Sequence, residues 1–360
     1  MAGPSPLPQI LDIVPYKGGT PMEGGWKLSS NENPLGCSPL AREAMVEAAQ
    51  NLATYPDGGA TALREAIARK YGLDANRLVC GAGSDEIFQL LARAYLGKGD
   101  EIIQTEHAFL VYRLVAQQSG ATVIDAPETN LTADIDAMLE CVTERTKIVF
   151  LANPNNPTGS YVPFDEVKRL HANLPDHVLL VLDGAYAEYV RRNDYASGIE
   201  LAGEAPNVLV TRTFSKVHGL AALRLGWAYG PESVIDAINR TRGPFNVSAP
   251  AMAAGIAAIS DDAFVSRSVE MNERGVDHVA GSLETAGYEV FPSVGNFVLV
   301  RFASPDQAGE ADAYLRARGI SVRAMGAYRL PDCLRISIGV DTANDDVVAA
   351  LKDFAAEHRG

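Results

Sequence analysis

"KIVFLANPNNPTG", residues 147–159, is the stretch whose reading decides the fold. After Lys147 it runs through five apolar residues, two of them β-branched. A run so short and so apolar reads as a strand covered on both faces, the kind found in parallel sheets flanked by helices. It then breaks into two Asn-Pro pairs and a glycine. Prolines fix the backbone and asparagine amides can aim at a ligand, so a rigid loop is predicted at the strand's carboxyl end.

The same pattern recurs on both sides. "RLVC" (77–80), "EIIQ" (101–104), "ATVID" (121–125), "VLLVLD" (178–183) and "NVLVT" (207–211) read as strands, with helical stretches between most of them. After "RLVC" comes "GAGSDE" (81–86), then a helix in which Ile87, Leu90, Leu91, Ala94 and Tyr95 share one face. Apolar strands alternating with helices predict an α/β domain with a mostly parallel central sheet, spanning residues 46–260. Beyond it a long amphipathic helix (262–286), "NFVLVRF" (296–302), "ISVR" (320–323), "LRISIG" (334–339) and a last helix predict a smaller α+β domain. Residues 28–45 are grouped with 261–360 in that smaller unit. Residues 1–27, rich in Pro and Gly, read as an extended N-terminal arm.

The bulk numbers narrow the function classes. The chain has 360 residues, enough for two domains, and 47% apolar with 21% charged content is ordinary for a globular enzyme. A net charge of −14 disfavours nucleic acid and anionic membrane surfaces as partners. Cys37, Cys80, Cys141 and Cys333 form no CxxC pair and read as reduced thiols of a cytoplasmic protein. The six histidines show no metal-ligand spacing, so no metal is expected. The first residues have no basic segment followed by an apolar one, so a secretory signal is not expected, and no apolar run is long enough to span a bilayer.

The unusual polar groups cluster just past strand ends: Gly81–Glu86, Asn153–Gly159, Asp183–Tyr186 and Thr213–Lys216. Open α/β sheets bind ligands there, so these segments are predicted to converge. "GAGSDE" is a glycine turn opening a helix, suited to a phosphate; read alone, it is equally a plain strand–helix turn. Asp183 at a buried strand end is either a helix N-cap or a carboxylate in want of a cation. In "TFSKVHGLAALR" (213–224) no formal charge separates Lys216 from Arg224. A lysine so placed is partly desolvated and suited to Schiff-base chemistry, while Arg224 suits a phosphate; otherwise the two are surface charges. Arg335 and Arg323 sit on otherwise apolar strands and want an anion or solvent.

Taken together, "LSSNENPLG" (28–36), "YPDGGATALREAIA" (55–68), "GAGSDE", "FLANPNNPTG", "TRTFSK", "RGPFNVSAPA" (242–251), "GNFVLVRF" and "LRISIG" resemble the class I/II aminotransferases of fold-type I, which use pyridoxal 5′-phosphate (PLP). Within them the chain is most similar to the histidinol-phosphate aminotransferase family, over essentially its whole length. Aromatic amino-acid aminotransferases share most of these strings, so that activity, or both in one enzyme, is the alternative. The resemblance implies ping-pong transamination of L-histidinol phosphate with 2-oxoglutarate to imidazole acetol phosphate and glutamate, in a homodimer with shared sites. It implies that Lys216 bonds covalently to PLP and shuttles the proton, that Asp183 pairs with the pyridinium nitrogen, and that Asn156 and Tyr186 hydrogen-bond the ring 3′-oxygen. Ser84, Asp85, Thr213, Ser215 and Arg224 would hold the phosphate, with Tyr55 reaching it from the partner subunit, and Phe109 would stack on the ring. Arg335, Arg323, Tyr16 and Asn33 would meet the substrates.

Two positions depart from the family pattern: Gly184, where an acidic residue is usual, and His218, where an aromatic one often stands. Two other readings are weaker. A PLP-fold module of a transcription regulator needs a DNA-binding domain for which there is no spare length. A dinucleotide-binding turn at "GAGSDE" lacks its third glycine and leaves Lys216 without a role.

Overall fold

The computed structural model describes residues 3–15 and 24–357. Seven strands form the central sheet, in the order 78–81, 226–229, 208–213, 179–183, 146–152, 101–105 and 122–126. All neighbours are parallel except Gly226–Tyr229, which runs antiparallel to both Leu78–Gly81 and Val208–Thr213. That strand has no counterpart in the sequence reading. It is four residues long, and the loop before it, which carries Lys216, holds only the short helical turn Ala221–Leu223 and no helix to cross a face of the sheet, so the chain returns antiparallel. Helices cover both faces, each over its own apolar cluster: Leu63, Val149, Leu180 and Trp227 lie on one side, Phe88, Ile102, Phe150 and Val181 on the other.

The C-terminal unit has a four-stranded antiparallel sheet, Glu289–Phe291, Phe297–Arg301, Leu330–Ser337 and Arg323–Met325 in spatial order. Helix Asp262–Thr285, capped by Asp261 accepting from the Phe264 amide, leads into it. The single strand expected at 320–323 is two. Ile320–Ser321 pairs with Trp26–Lys27, and Arg323–Met325 pairs with Leu330–Ser337 across a register shift.

The arm is not wholly extended. Pro8–Leu11 makes one helical turn, with Pro8 in its first position, where a missing N–H costs nothing. Residues 28–45 divide between the two units. Leu28 exchanges backbone bonds with Ser321 and Ser337 of the smaller unit. Helix Pro39–Ala48 instead packs on helix Ala249–Ile259 of the larger one, against its grouping with 261–360. No helix among the described residues is long and apolar enough to cross a membrane.

Candidate active site

A cavity of about 220 Å³ opens at the carboxyl ends of the parallel strands, where the expected segments meet. Strand Thr146–Ala152 delivers Pro154 and Asn156 to it, strand Leu179–Asp183 delivers Asp183 and Tyr186, and strand Val208–Thr213 delivers Thr213, Ser215 and Lys216. The helix Ser84–Tyr95 points its first turn at the same space.

One end of the cavity is built for an anion. Ser84, Thr213, Ser215 and Arg224 line it. A Cβ on Gly83, whose φ is +81°, would fall 2.6 Å from Arg224 Nη2, so the glycine keeps the guanidinium's place open. A Cβ on Gly226 would fall 2.4 Å from the Ser84 amide nitrogen, so the missed strand is what lets the helix start come this close. Arg224 lies in the left-handed region at φ 49°, donates to the Ala221 carbonyl at 2.9 Å, and stands 3.4 Å from Asp85.

Lys216 lines the same cavity. Its Nζ donates to the Ser30 carbonyl at 3.1 Å and hangs 5.7 Å over the Tyr186 ring. Burial, with help from Arg335, lowers its pKa to about 8. Asp183 also lines the cavity, 5% exposed, and burial pushes its pKa up to about 6. Tyr112 donates to Asp183 Oδ2 at 2.6 Å and Thr211 to Oδ1 at 3.2 Å, both holding the charged form. Among the described residues no cation forms an ion pair with this carboxylate. Asp183 is not an N-cap of a helix: it ends a strand and is followed by a turn.

Tyr186 accepts from Asn31 Nδ2 at 2.9 Å, which leaves its own proton to donate. Asn156 accepts from Arg335 Nη1 through Oδ1, which leaves its Nδ2 to donate. Arg335 is 5% exposed, donates from Nη2 to the Ser29 carbonyl at 3.0 Å, and sits over Phe297. Phe109 lines the cavity with its ring edge-on to Tyr112.

Three expected site residues lie elsewhere. Arg323 is directly across from Arg335 on the neighbouring strand but faces a second cavity, about 500 Å³, between Asp12–Pro15 and helix Leu110–Ser119. Tyr55 is 79% exposed and stacks on Phe245, away from this chain's cavity. Asn33 does not line the site. Its amide is spent on the Val217 carbonyl and Ser268 Oγ, so it ties the 30–35 loop beside Lys216 instead of facing a ligand. Tyr16 falls outside the described residues. Sequence reasoning missed Tyr112, Asn31, Ser30 and Glu32. Tyr112 carried a signal, a phenol in an apolar helical stripe whose hydroxyl must find a partner. Asn31 carried none, because only the fold reveals its left-handed φ of 57°. No cluster of three or more His, Cys, Asp or Glu suited to a metal occurs among the described residues.

Residues 23–351 match the family model of aminotransferase class I and II. The chain is 54% identical to a histidinol-phosphate aminotransferase of Rhodopseudomonas palustris (strain HaA2), over 99% of this chain and 100% of that one. It is 54% identical to another from Paramagnetospirillum magneticum, over 98% and 99% of the two chains. Among solved structures it is similar to the histidinol-phosphate aminotransferase of Sinorhizobium meliloti in complex with pyridoxal-5′-phosphate, with a TM-score of 0.92, 27% identity and 99% coverage of each chain.

Proposed function

The chain belongs to the class I and II aminotransferases, and from that premise we propose that it transfers the amino group of L-histidinol phosphate to 2-oxoglutarate, with PLP as cofactor, yielding imidazole acetol phosphate and glutamate. The observation that carries the reading is that one cavity brings together the Arg224 guanidinium, the Lys216 amine and the Asp183 carboxylate. PLP presents a partner for each: a phosphate, an aldehyde and a ring nitrogen. The Arg224 guanidinium lodged against Gly83, with Ser84, Thr213 and Ser215 beside it in the lining, fits the phosphate, and a buried carboxylate lacking a cation fits a protonated ring nitrogen.

When bound, PLP supplies an electron-poor ring that withdraws the electron pair left at the substrate's α-carbon. The chain's own residues do the rest. Lys216 would hold the cofactor through Nζ and, once released, take the α-proton and return it. A pKa of about 8 suits an amine that must both accept and give a proton near neutrality. Asp183 would keep the ring-nitrogen proton in place, and the free donors of Tyr186 and Asn156 would face the ring 3′-oxygen. Ser84, Asp85, Thr213, Ser215 and Arg224 would position the phosphate, and Phe109 would cover the ring. Arg335 would take the carboxylate of glutamate and the phosphate of histidinol phosphate in turn, aided by Tyr16, while Arg323 faces the second cavity. One anion site serving both substrates alternately is what a ping-pong cycle requires.

The same reading makes the protein a cytoplasmic homodimer. Exposed Leu40, Val46, Leu52, Tyr55 and Phe245 offer an apolar surface for a second copy, and Tyr55 would reach the partner's phosphate site from it. The larger unit would carry the cofactor, and the unit centred on 261–360 would bring Arg335 to it. The test is a comparison of kcat/KM for histidinol phosphate and phenylalanine. Preference for phenylalanine would overturn the substrate assignment in favour of an aromatic amino-acid aminotransferase. A pH-dependent absorbance band formed with PLP, and lost in Lys216→Ala, tests the cofactor.

A further inference from the structure

The two positions that depart from the family pattern, Gly184 and His218, both bear on one buried ion pair, Gly184 through a close approach and His218 through its field. In that pair Arg212, 4% exposed, donates from Nη2 to Glu188 Oε1 at 2.6 Å. Its guanidinium stands 5.5 Å from the Tyr71 ring centre and 5.8 Å from that of Trp227. A Cβ on Gly184 would fall 2.9 Å from Arg212 Cδ. Gly184 has an ordinary backbone conformation, so it is needed for room. His218 is 4% exposed, tilted against Phe214 at 5.0 Å, and its Nδ1 has no hydrogen-bond partner. Burial keeps it neutral, with Glu188 and Arg212 the nearest charges acting on it in opposite directions.

The geometry matters because of what each member is attached to. Thr211 and Thr213 point toward the site from strand Val208–Thr213, so Arg212 between them points away. Glu188 sits in the short helical turn Ala187–Tyr189, immediately after Tyr186. The ion pair therefore ties the turn that carries Tyr186 to the strand that carries Thr213. Inside the turn Ala187 N donates to Gly184 O at 3.1 Å, Tyr189 N to Tyr186 O at 3.0 Å and Val190 N to Ala187 O at 3.3 Å, and Gly184 N donates to Thr211 O at 2.9 Å, so the ion pair adds a side-chain tie to the same strand beyond the turn's first residue. A buried ion pair is poor stabilisation, since neutral side chains of similar volume often serve as well. Fixing one geometry is the better account of its presence.

We propose that the Arg212–Glu188 pair, seated in the room that Gly184 leaves, is a positioning brace that sets Tyr186 against the strand end at Asp183. Neither residue touches the cavity, so both act through Tyr186. The effect on the cofactor rests on the function proposed above; the effect on the turn does not.

The test is the charge-neutral double variant Arg212→Met/Glu188→Gln, which avoids an orphaned buried charge. Amide hydrogen exchange in the PLP-free protein reads the turn directly. Exchange at Ala187 and Tyr189 should rise about tenfold while the central strands stay protected. Unchanged exchange there overturns the proposal. In the PLP-loaded protein, the midpoint of the pH-dependent absorbance band should shift by roughly half a unit or more, in the direction given by Tyr186→Phe. Adding Tyr186→Phe to the double variant should then shift it little further. A midpoint that stays put, or shifts that add in full, overturns the link to Tyr186. Gly184→Ala perturbs the brace by another route, pushing on Arg212 while keeping both charges, and should move both readouts the same way; if neither moves in this variant, the brace is refuted. Should the wild-type protein form no band with PLP, the functional reading fails while hydrogen exchange still decides the brace.

Discussion

Tyr112→Phe isolates one hydrogen bond under the candidate site. The hydroxyl it removes donates to Asp183 Oδ2 at 2.6 Å. The ring it keeps stacks on Phe150 at 4.5 Å and meets Phe88 edge-on at 5.1 Å, so the packing survives. Burial has already pushed Asp183 from 3.8 to about 6 with this bond in place. A hydrogen bond to a charged group contributes about 1.5–3 kcal/mol, or roughly one to two pH units. In the variant the carboxylate should therefore titrate near pH 7–8, as an order-of-magnitude figure. The sign follows from the raised value. Ionised Asp183 costs folding stability as pH rises through the window between its unfolded and folded pKa values, and the full cost persists above the folded one. A ligand that presents a cation to it removes that cost. PLP should accordingly bind Tyr112→Phe about tenfold more weakly near pH 7, with the loss shrinking toward about pH 9 as the carboxylate ionises. Fluorescence or absorbance titrations with PLP between about pH 6 and pH 9 measure this. Equal affinity and an unshifted pH profile in the variant would refute the assignment of Asp183 as the buried anion whose charge Tyr112 maintains.

The remaining perturbations address other parts of the site. Lys216→Met should raise the melting temperature of the PLP-free protein near pH 7. Its amine is pulled from 10.5 to about 8, so the folded state carries a penalty of up to about 3 kcal/mol that is full below pH 8 and gone above the unfolded value; a lower melting temperature contradicts the desolvation. Gly83→Ala, with its Cβ 2.6 Å from Arg224 Nη2 at φ +81°, should weaken PLP binding more than about tenfold with the fold retained by circular dichroism. Arg335→Lys should raise KM for both substrates about 10–100-fold and change PLP affinity little, because a single ammonium cannot hold Asn156, the Ser29 carbonyl and a carboxylate together. His218→Phe removes a buried Nδ1 without a partner but also a hydrogen bond to the Ala258 backbone; the two effects oppose each other, so the melting temperature should change by less than about 5 °C, and a larger fall would show that the Ala258 bond dominates.

What the sequence disclosed and what it withheld divide along a physical line. Asp183, Asn156, Tyr186, Lys216 and Arg224 were legible because each follows a strand short and apolar enough to be recognised alone, and the carboxyl ends of parallel strands share one edge. Gly226–Tyr229 was not, since four residues carry no period, yet its glycine is what admits the Ser84 amide to the anion end. Asn33 reads as ligand-facing because asparagines in loops often are; in the structure its amide bonds Val217 and Ser268, and it is Asn31, two residues earlier, whose amide donates to Tyr186. That distinction depends on which of two neighbours adopts φ 57°, a choice made by Ser337 and Asn296 from about 300 residues away. Gly184 and His218 show the same limit from the other direction. Read locally they are departures from a pattern; read in space Gly184 leaves room for Arg212, and His218 lies in the field of the same ion pair. Positions that look arbitrary in a sequence can thus owe their identity to a contact far along the chain, and here that contact is with the strand partner of the turn that carries Tyr186.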